Sequence, residues 1–461
     1  MNKMVDKVLR GDGLKMRAVR MSGLGAFGKG GVSVLRLIGN VILASLLFPE
    51  AFGLMALVPL ITGAAGLFSD VGIHDSLVRS PRGDDRAFRD TAWTLQILRG
   101  FLLAAIVVAI SGPFAALYDE EMLGSLLTVA ALQFVITGFN STKVANARRH
   151  LAIGRVTVMG LMAKVVSVIT MVLLAWATGS VWSLVIGGLV QSAFICALSH
   201  LYLPGKLDRP RLERAAVWEI FGLGRFLLVG TAGTYVSNRA MTAILGLFLA
   251  LGTLGQFNMA LALASLPGDL GYGNLNQVLL SLFSKRPSDG GGARSRSRRS
   301  ARRIAAVLSA AMIVGFALVA PPVINLLYDE RYALMAPFTV LLCIALSPKV
   351  IYSGYGASIL ARGDGPTHMY AQLIGAVGQV AFVSVGIVTS GVLGAIIGSA
   401  IARLAPMIVV FPAQRRAGEL DAGFDVLLSL GLCVAAAAIC WVHWPQIELL
   451  LEANGDTMQQ P

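Results

Sequence analysis

The tetrapeptide Leu117-Tyr118-Asp119-Glu120 returns 210 positions later as Leu327-Tyr328-Asp329-Glu330. A second match, at an offset of 211, pairs the segment from Thr178 to Gly187 with the segment from Thr389 to Gly398. Two matches in almost the same register predict an internal duplication, in which each half of the chain has the same order of secondary-structure elements. The fold class then depends on what lies between the matched segments.

Long apolar runs lie between them. Hydrophobic residues make up 56% of the 461 residues and charged residues only 14%, against about 45–50% and about 25% in a typical soluble domain. The mean hydropathy is +0.73. We therefore predict an all-α polytopic membrane protein, because a helix satisfies its own backbone hydrogen bonds in lipid.

Thirteen apolar runs are long enough to cross a bilayer, which requires about 20 residues in a helix. The predicted transmembrane helices are 24–48, 51–78, 88–113, 121–142, 156–178, 181–203, 217–247, 254–283, 304–327, 331–360, 367–389, 391–412 and 424–444.

The positive charges support this topology. With the amino terminus in the cytoplasm, 29 of the 38 Lys and Arg residues fall in segments that face the cytoplasm, whereas the outward-facing segments contain only Arg331. Lys and Arg are enriched in cytoplasmic loops of membrane proteins. We therefore expect an uncleaved cytoplasmic amino terminus and an outer carboxyl terminus.

The spans and the duplication together predict two pseudo-symmetric six-helix lobes. Because six is even, both lobes begin in the cytoplasm and are parallel repeats, an arrangement used by alternating-access transporters. The predicted organisation is a basic cytoplasmic amino terminus (1–23), an N-lobe (24–203), a cytoplasmic linker (204–216), a C-lobe (217–413) with a basic cytoplasmic loop (285–303), an extra helix (424–444) and a tail (445–461).

Three short motifs resemble those of a known family. Leu47-Phe48-Pro49-Glu50-Ala51-Phe52-Gly53 resembles the L-x-P-x-x-F-G turn of polysaccharide transporters in the multidrug/oligosaccharidyl-lipid/polysaccharide flippase superfamily. Ser69-Asp70-Val71-Gly72-Ile73 is similar to that family's second-helix motif. The stretch Gly255-Gln256-Phe257-Asn258-Met259-Ala260, with Leu266-Pro267 after it, is similar to its eighth helix. The resemblance covers residues 24–413, with Phe48 where the family more often has Gly and thirteen spans where twelve or fourteen are usual.

The resemblance implies a bacterial inner-membrane flippase. Its cargo would be an undecaprenyl-diphosphate-linked oligosaccharide, carried from the cytoplasmic to the outer leaflet for surface or exopolysaccharide assembly. It also implies membrane lipids and the polysaccharide polymerase or export machinery as partners. No enzymatic step and no cofactor are expected, apart from H⁺ or Na⁺ as a coupling ion.

Basic residues inside the predicted spans are the candidate cargo-binding groups. An ionised side chain costs about 2.5–3.5 kcal/mol at the centre of a membrane helix on insertion scales, so such residues tend to face a water-filled cavity. Guanidinium groups also bind phosphate oxygens in pairs. The candidates for a cationic cavity between the lobes are Arg36, Arg99, Lys164, Arg225, Arg239 and Lys349.

The same residues also permit a purely structural interpretation. Lys29 and Arg403 are expected to snorkel or to pack, and any of the other bases can pair with Asp70 or Asp269, the principal acidic groups at comparable depth. Those two carboxylates are alternatively sites of proton or sodium coupling.

Other classes of function are less well supported. The four cysteines lie in apolar runs without metal-ligand spacing, so neither a metal site nor a catalytic constellation is predicted. The basic loop 285–303 is expected to contact anionic lipid rather than nucleic acid. A small-molecule or drug exporter of the same superfamily would favour a less basic cavity, and a membrane-bound glycan polymerase or ligase would need a longer outer loop. A scramblase or scaffold would not require so many intramembrane charges.

Overall fold

The computed structural model describes residues 14–69, 73–150, 152–268, 271 and 291–457, and within these ranges the regular elements are helices. We number the α-helices in chain order. They are α1 (Leu14–Leu46), α2 (Pro49–Ser69), α3 (Ile73–Arg79), α4 (Arg86–Leu117), α5 (Glu121–Ala130), α6 (Leu132–Gly138), α7 (Lys143–Arg149), α8 (Ile153–Thr178), α9 (Trp182–Leu201), α10 (Arg214–Leu245), α11 (Leu251–Gly268), α12 (Gly291–Leu327), α13 (Met335–Leu346), α14 (Lys349–Ala361), α15 (Gly365–Ala402), α16 (Met407–Arg416), α17 (Ala422–Val442) and α18 (Trp444–Thr457).

The predicted all-α membrane fold is confirmed, whereas the number of spans stays a prediction. Among the described residues, nine segments are long and apolar enough to cross a membrane. In the first predicted span only the shorter section Gly30–Leu46 is strongly apolar. Part of the predicted span 254–283 lies outside the described residues.

Several predicted spans are interrupted rather than continuous. The run 331–360 forms α13 and α14, which are separated at Ser347 and Pro348. The run 391–412 is divided near Pro406 into the end of α15 and α16. Proline has no backbone N–H to donate, so it interrupts a helix where hydropathy alone shows a continuous apolar run. Interruptions at membrane depth are tolerated where they are enclosed by protein or line a cavity.

Both copies of the repeated tetrapeptide lie at equivalent helix ends. Leu117 ends α4 and Leu327 ends α12, the third long helix in each half of the chain. The longer repeat also marks helix junctions: Gly179 ends α8 with φ +61°, and Gly391, with φ +63°, kinks α15. The left-handed φ values explain why glycine occupies both junctions.

The described helices gather into two compact units. The first contains the chain up to Leu47 and Ile61–Leu228, and the second contains Phe48–Leu60 and the chain from Val229 onward. The bounds of these units therefore differ from the sequence-based lobes, because the first part of α2 belongs to the second unit and the first part of α10 belongs to the first.

In the first unit, α8 packs on α1 and α9, and α4 packs on α5 and α6. Leu103, Val107, Ala131 and Phe134 form one of its buried apolar clusters. The segment predicted as a cytoplasmic linker is held firmly against this unit. The Asp208 carboxylate accepts hydrogen bonds from the Ser141 hydroxyl at 2.6 Å and from the Thr142 amide at 3.1 Å.

Three further hydrogen bonds hold the linker on α4. Side chains of that helix accept from linker amides, namely Asp90 from Arg209, Thr94 from Arg211 and Thr91 from Glu213. Because side chains satisfy these backbone groups, the linker is an ordered part of the first unit rather than a loose tether.

In the second unit, α13 packs on α11 and α12, where the rings of Phe257 and Phe338 meet edge to face with centroids 5.6 Å apart. A buried ion pair attaches α17 to this core. The Arg302 guanidinium of α12 lies 2.7 Å from the Asp425 carboxylate and stacks 4.1 Å over the Tyr355 ring. The Tyr355 hydroxyl donates to the same carboxylate at 2.6 Å.

A neighbouring carboxylate extends the attachment. Arg303 donates to both oxygens of Asp421 at 2.7 and 2.9 Å, and this hydrogen bonding holds the pKa of that carboxyl below its usual range. The extra helix predicted at 424–444 is therefore present as α17 and is fixed to α12 and α14 by charges at one end.

Two sequence expectations need correction. The basic segment 285–303, predicted to be a loop, is helical from Gly291 onward as the start of α12. The segment 445–461, predicted to be a tail, forms α18 up to Thr457 and packs on α13 and α15. The start of α12 was not predicted because its arginines are typical of a loop. Helix α18 was not predicted because the carboxyl end of the chain is polar.

We predict that Asp425→Ala strongly destabilises the protein. The change removes the 2.7 Å partner of the buried Arg302 guanidinium and leaves only the Asp421 carboxylate 3.8 Å away; breaking a buried pair costs about 3–5 kcal/mol in comparable sites. Thermal unfolding in detergent measures the effect. The matched control is Asp329→Ala, which breaks the Asp329–Arg331 pair. The side chains of this pair are 45% and 34% exposed, so the change should alter stability by at most about 1 kcal/mol. Equal melting temperatures for the two variants would contradict the anchoring role.

Candidate functional site

The predicted cargo-binding cations lie on different helices of the two units. Arg36, Arg99 and Lys164 belong to α1, α4 and α8 of the first unit, whereas Arg239 and Lys349 belong to α10 and α14 of the second. The backbone of Arg225 is helical, but its side chain lies outside the described residues, as do Asp70 and Asp269.

Two of these cations meet between α1 and α8. The two helices run in the same direction, with Gly31 against Leu161 and Gly39 against Val168. Between these contacts the Arg36 guanidinium and the Lys164 ammonium are near enough to repel each other. The small glycines bring the helices close together, and the charge of Arg36 acts on Lys164 across this helix contact.

Neither cation has an acidic partner among the described residues. Half-buried Lys164 experiences the positive charge of Arg36 and no negative charge from a described residue. Arg36 forms no ion pair with a described residue either. Two adjacent cations in membrane-crossing helices oppose folding, and their repulsion is relieved when an anion lies between them. The Arg36–Lys164 pair is therefore a candidate binding site for a negatively charged group.

Arg99 lies in a different environment from this pair. It is half-buried at an apolar groove of about 600 Å³ that is lined by α2, α3 and α4 of the first unit. The other described residues of the groove are aliphatic, and neither Arg36 nor Lys164 is among them. The structure therefore does not bring Arg99 together with the other two predicted cations of its unit.

In the second unit, Arg239 is half-buried in α10 and has no ion pair among the described residues. Lys349 is the first residue of α14 and lines a cavity of about 270 Å³ between α10, α14, α15 and α16. Arg403, which was expected to snorkel or to pack, lines the same cavity.

The family-like motifs form a close helix contact within the second unit. A Cβ atom added at Gly53 of α2 would lie 2.0 Å from the carbonyl oxygen of Leu251, and one added at Gly255 of α11 would lie 2.0 Å from that of Pro49. A side chain at either glycine would therefore force the two helices apart. The predicted topology places these helix ends at the outer face of the membrane.

Aromatic and polar groups surround the glycine contact. Phe52 meets Tyr332 edge to face at 6.1 Å, and the Arg331 guanidinium lies 5.1 Å over the Phe48 ring. The Gln256 side chain accepts a hydrogen bond from the Leu334 amide at 2.9 Å. We name Phe48, Phe52, Gly53, Gly255 and Gln256, together with residues 331–334, the outer contact.

Further along α2, the Tyr235 hydroxyl lies 2.6 Å from the carbonyl oxygen of Pro59 and 2.9 Å from that of Leu60. Pro59 lies within this helix. The Tyr235 side chain is therefore hydrogen-bonded to the backbone of α2. The two glycine motifs were predicted as family signatures, but their contact was not predicted. The available signal was that each motif has small residues near the end of a span.

Within the described ranges no cluster of three His, Cys, Asp or Glu side chains is placed to hold a metal ion. The four cysteines are free thiols. The Arg36–Lys164 pair is suited to binding an anion, and the outer contact holds helices together.

Comparisons with known proteins agree with this architecture. The model of a family described as polysaccharide biosynthesis protein matches residues 42–337, more than half of the chain. The succinoglycan biosynthesis transport protein ExoT of Rhizobium meliloti (strain 1021) is 22% identical over 408 residues, which cover 86% of this chain and 80% of that protein.

Two further proteins are similar. The lipopolysaccharide biosynthesis protein WzxC of Escherichia coli (strain K12) is 21% identical over 330 residues, 71% of this chain and 66% of that protein. The solved structure of the lipid II flippase MurJ, in an inward closed conformation, superposes with a TM-score of 0.71 at 12% identity and covers 94% of this chain and 97% of that one. This last likeness shows the shared fold.

We predict that Gly255→Ala weakens the outer contact. The added methyl group would overlap the Pro49 carbonyl, and overpacking of this kind costs about 1–3 kcal/mol. Thermal unfolding in detergent measures the loss. Gly315→Ala in α12 is the matched control, because no atom lies within 4 Å of its added Cβ. A Gly255→Ala protein as stable as that control would show that the helices do not approach this closely.

Proposed function

The chain belongs to the polysaccharide biosynthesis protein family, and we propose that it flips an undecaprenyl-diphosphate-linked oligosaccharide from the cytoplasmic to the outer leaflet of a bacterial inner membrane. The cargo would supply surface or exopolysaccharide assembly. The step is physical translocation, in which no covalent bond forms or breaks.

The Arg36–Lys164 pair is the observation that carries this proposal. The charge of Arg36 acts on Lys164 across the contact between α1 and α8, and neither cation is neutralised by a described carboxylate. A diphosphate supplies several anionic oxygens that accept hydrogen bonds from a guanidinium and an ammonium together. A cationic drug would be repelled by the same pair, which favours the lipid-linked anion over a small-molecule exporter.

The relatives support a lipid-linked cargo. One is named as a succinoglycan biosynthesis transport protein and one solved neighbour as a lipid II flippase. We extend to this chain the class of cargo, a glycan on a lipid carrier, and propose polysaccharide polymerase or export proteins as its partners. The amino terminus is proposed to lie in the cytoplasm, as the distribution of Lys and Arg indicates.

We propose alternating access as the mechanism, with the outer contact as the outer gate. Gly53 and Gly255 let α2 and α11 touch through backbone atoms, and opening the gate would break this contact together with the Phe52–Tyr332 ring contact beside it. The headgroup would bind the cations from the cytoplasmic side, and separation of the outer contact would release it outward. The lipid tail would stay in the bilayer. Asp70 and Asp269 are the residues we propose for coupling to H⁺ or Na⁺.

We predict that Arg36→Gln and Lys164→Gln block export in cells. Each change removes one of the two charges that bind the diphosphate, and a charge-assisted hydrogen bond of this kind contributes about 1.5–3 kcal/mol. Each single variant should therefore slow translocation about tenfold or more, and the double variant further. The readout is lipid-linked oligosaccharide accumulated on the cytoplasmic leaflet at equal protein level.

The matched control is Arg155→Gln, which removes an exposed charge from the first turns of the same helix as Lys164. It should export normally. Normal export by a well-expressed double variant would make the Arg36–Lys164 pair structural and would count against a diphosphate cargo at this site.

A further inference from the structure

The second unit has a cavity of its own, and its chemistry is cationic. It occupies about 270 Å³ between α10, α14, α15 and α16. Lys349 and Arg403 both line it, and His368, in the first turn of α15, lines it as well. None of the described lining residues is acidic.

The two permanent charges lie at the two helix interruptions of this unit. Lys349 follows the break between α13 and α14, and Arg403 follows the last residue of α15, before α16 begins. Interrupted helices at membrane depth are tolerated where they line a cavity, and in transporters they commonly frame binding sites. The breaks and the charges therefore point to the same place.

Neutral hydrogen-bonding side chains complete the lining. Asn238 of α10, Tyr352 of α14 and Gln372 of α15 approach the cavity from three helices. A metal cation would require carboxylate or carbonyl ligands and is disfavoured by the two positive charges. An anion whose oxygens point in several directions, such as a phosphate, satisfies a guanidinium, an ammonium and these amide and hydroxyl donors together.

The volume limits the size of the ligand. A cavity of about 270 Å³ is at the lower end of ligand pockets, which are typically about 300–1,000 Å³, and this size suits a phosphate or diphosphate group. We propose that this cavity, formed within the second unit by Lys349, Arg403 and His368, is a binding site for a phosphate-type anion, separate from the Arg36–Lys164 pair of the first unit. That the phosphate belongs to the lipid-linked cargo, rather than to a free anion, rests on the proposed function.

Binding to the full-length protein in lipid nanodiscs tests the inference. The probes are inorganic pyrophosphate and geranylgeranyl diphosphate, titrated by calorimetry against wild type, Lys349→Gln, Arg403→Gln and the double variant. We expect each single change to weaken binding about tenfold and the double change about a hundredfold. Lys349→Arg and Arg403→Lys, which keep the charge, should retain most of the affinity.

The matched control is the double variant Arg415→Gln with Arg416→Gln. It removes two exposed charges from the last turn of α16, a helix that borders the cavity. It should bind both probes as wild type does, and melting curves will show that all variants are folded.

Each outcome has a definite meaning. Binding of the prenyl diphosphate alone, lost in the Lys349/Arg403 double variant, identifies a lipid headgroup site. Binding of pyrophosphate alone, lost in the same variant, identifies a free-anion site, and binding of both identifies a general phosphate site. Failure of wild type to bind either probe, or equal binding by wild type and the double variant, would overturn the inference. The proposed function is judged separately, by export from the Arg36 and Lys164 variants, which leave this cavity unchanged.

Discussion

The cost of placing an ionised side chain in hydrocarbon governs the arrangement of charges in this protein. Each such group must reach water, find a partner or face a cavity. Arg302 shows the second solution, since it is buried against Asp425 and Tyr355. Arg36, Lys164 and Arg239 have no acidic partner among the described residues. Under the proposed function, the diphosphate of the cargo would supply the missing negative charge.

A second constraint, the need to satisfy backbone groups in lipid, explains where the helices are interrupted. The breaks near Pro348 and Pro406 occur beside the cavity that contains Lys349 and Arg403. The helix interruptions and the intramembrane charges therefore lie at the same place. Water or an anion in the cavity can hydrogen-bond both the free backbone groups and the charged side chains. The glycines of the outer contact serve another purpose, since they allow α2 and α11 to touch through backbone atoms.

The fold class was predictable because hydropathy over a span of 20 residues is a strong local signal, and the family was predictable from short motifs. The family match confirms that the chain belongs to a polysaccharide transporter family and not to a family of enzymes. The interruptions were not predicted, because a proline breaks a helix without changing the average hydropathy of the run. The start of α12 and α18 were not predicted, because their charged and polar residues leave no continuous apolar run.

The site was only partly predictable. Sequence identified Arg36, Lys164 and Lys349 by the cost of their charge, but spacing along the chain could not show that the first two are neighbours, since they are on different helices. Arg403 was expected to snorkel or to pack. Its place at the end of α15, facing a cavity, depends on packing against α10 and α14, which is a property of the tertiary structure. The partnership of Gly53 with Gly255 is likewise visible only in three dimensions.

The most direct measurement is translocation by the purified protein. Proteoliposomes would contain a labelled undecaprenyl-diphosphate-linked oligosaccharide, and a membrane-impermeant glycosidase would report how much of the glycan has changed leaflets. The account predicts transfer that depends on the protein. In a cysteine-free background, cross-linking Glu50→Cys to Gly252→Cys, whose wild-type residues are in contact, should stop the transfer, and reductant should restore it. Transfer no faster than in empty liposomes, or transfer unaffected by the cross-link, would contradict the account.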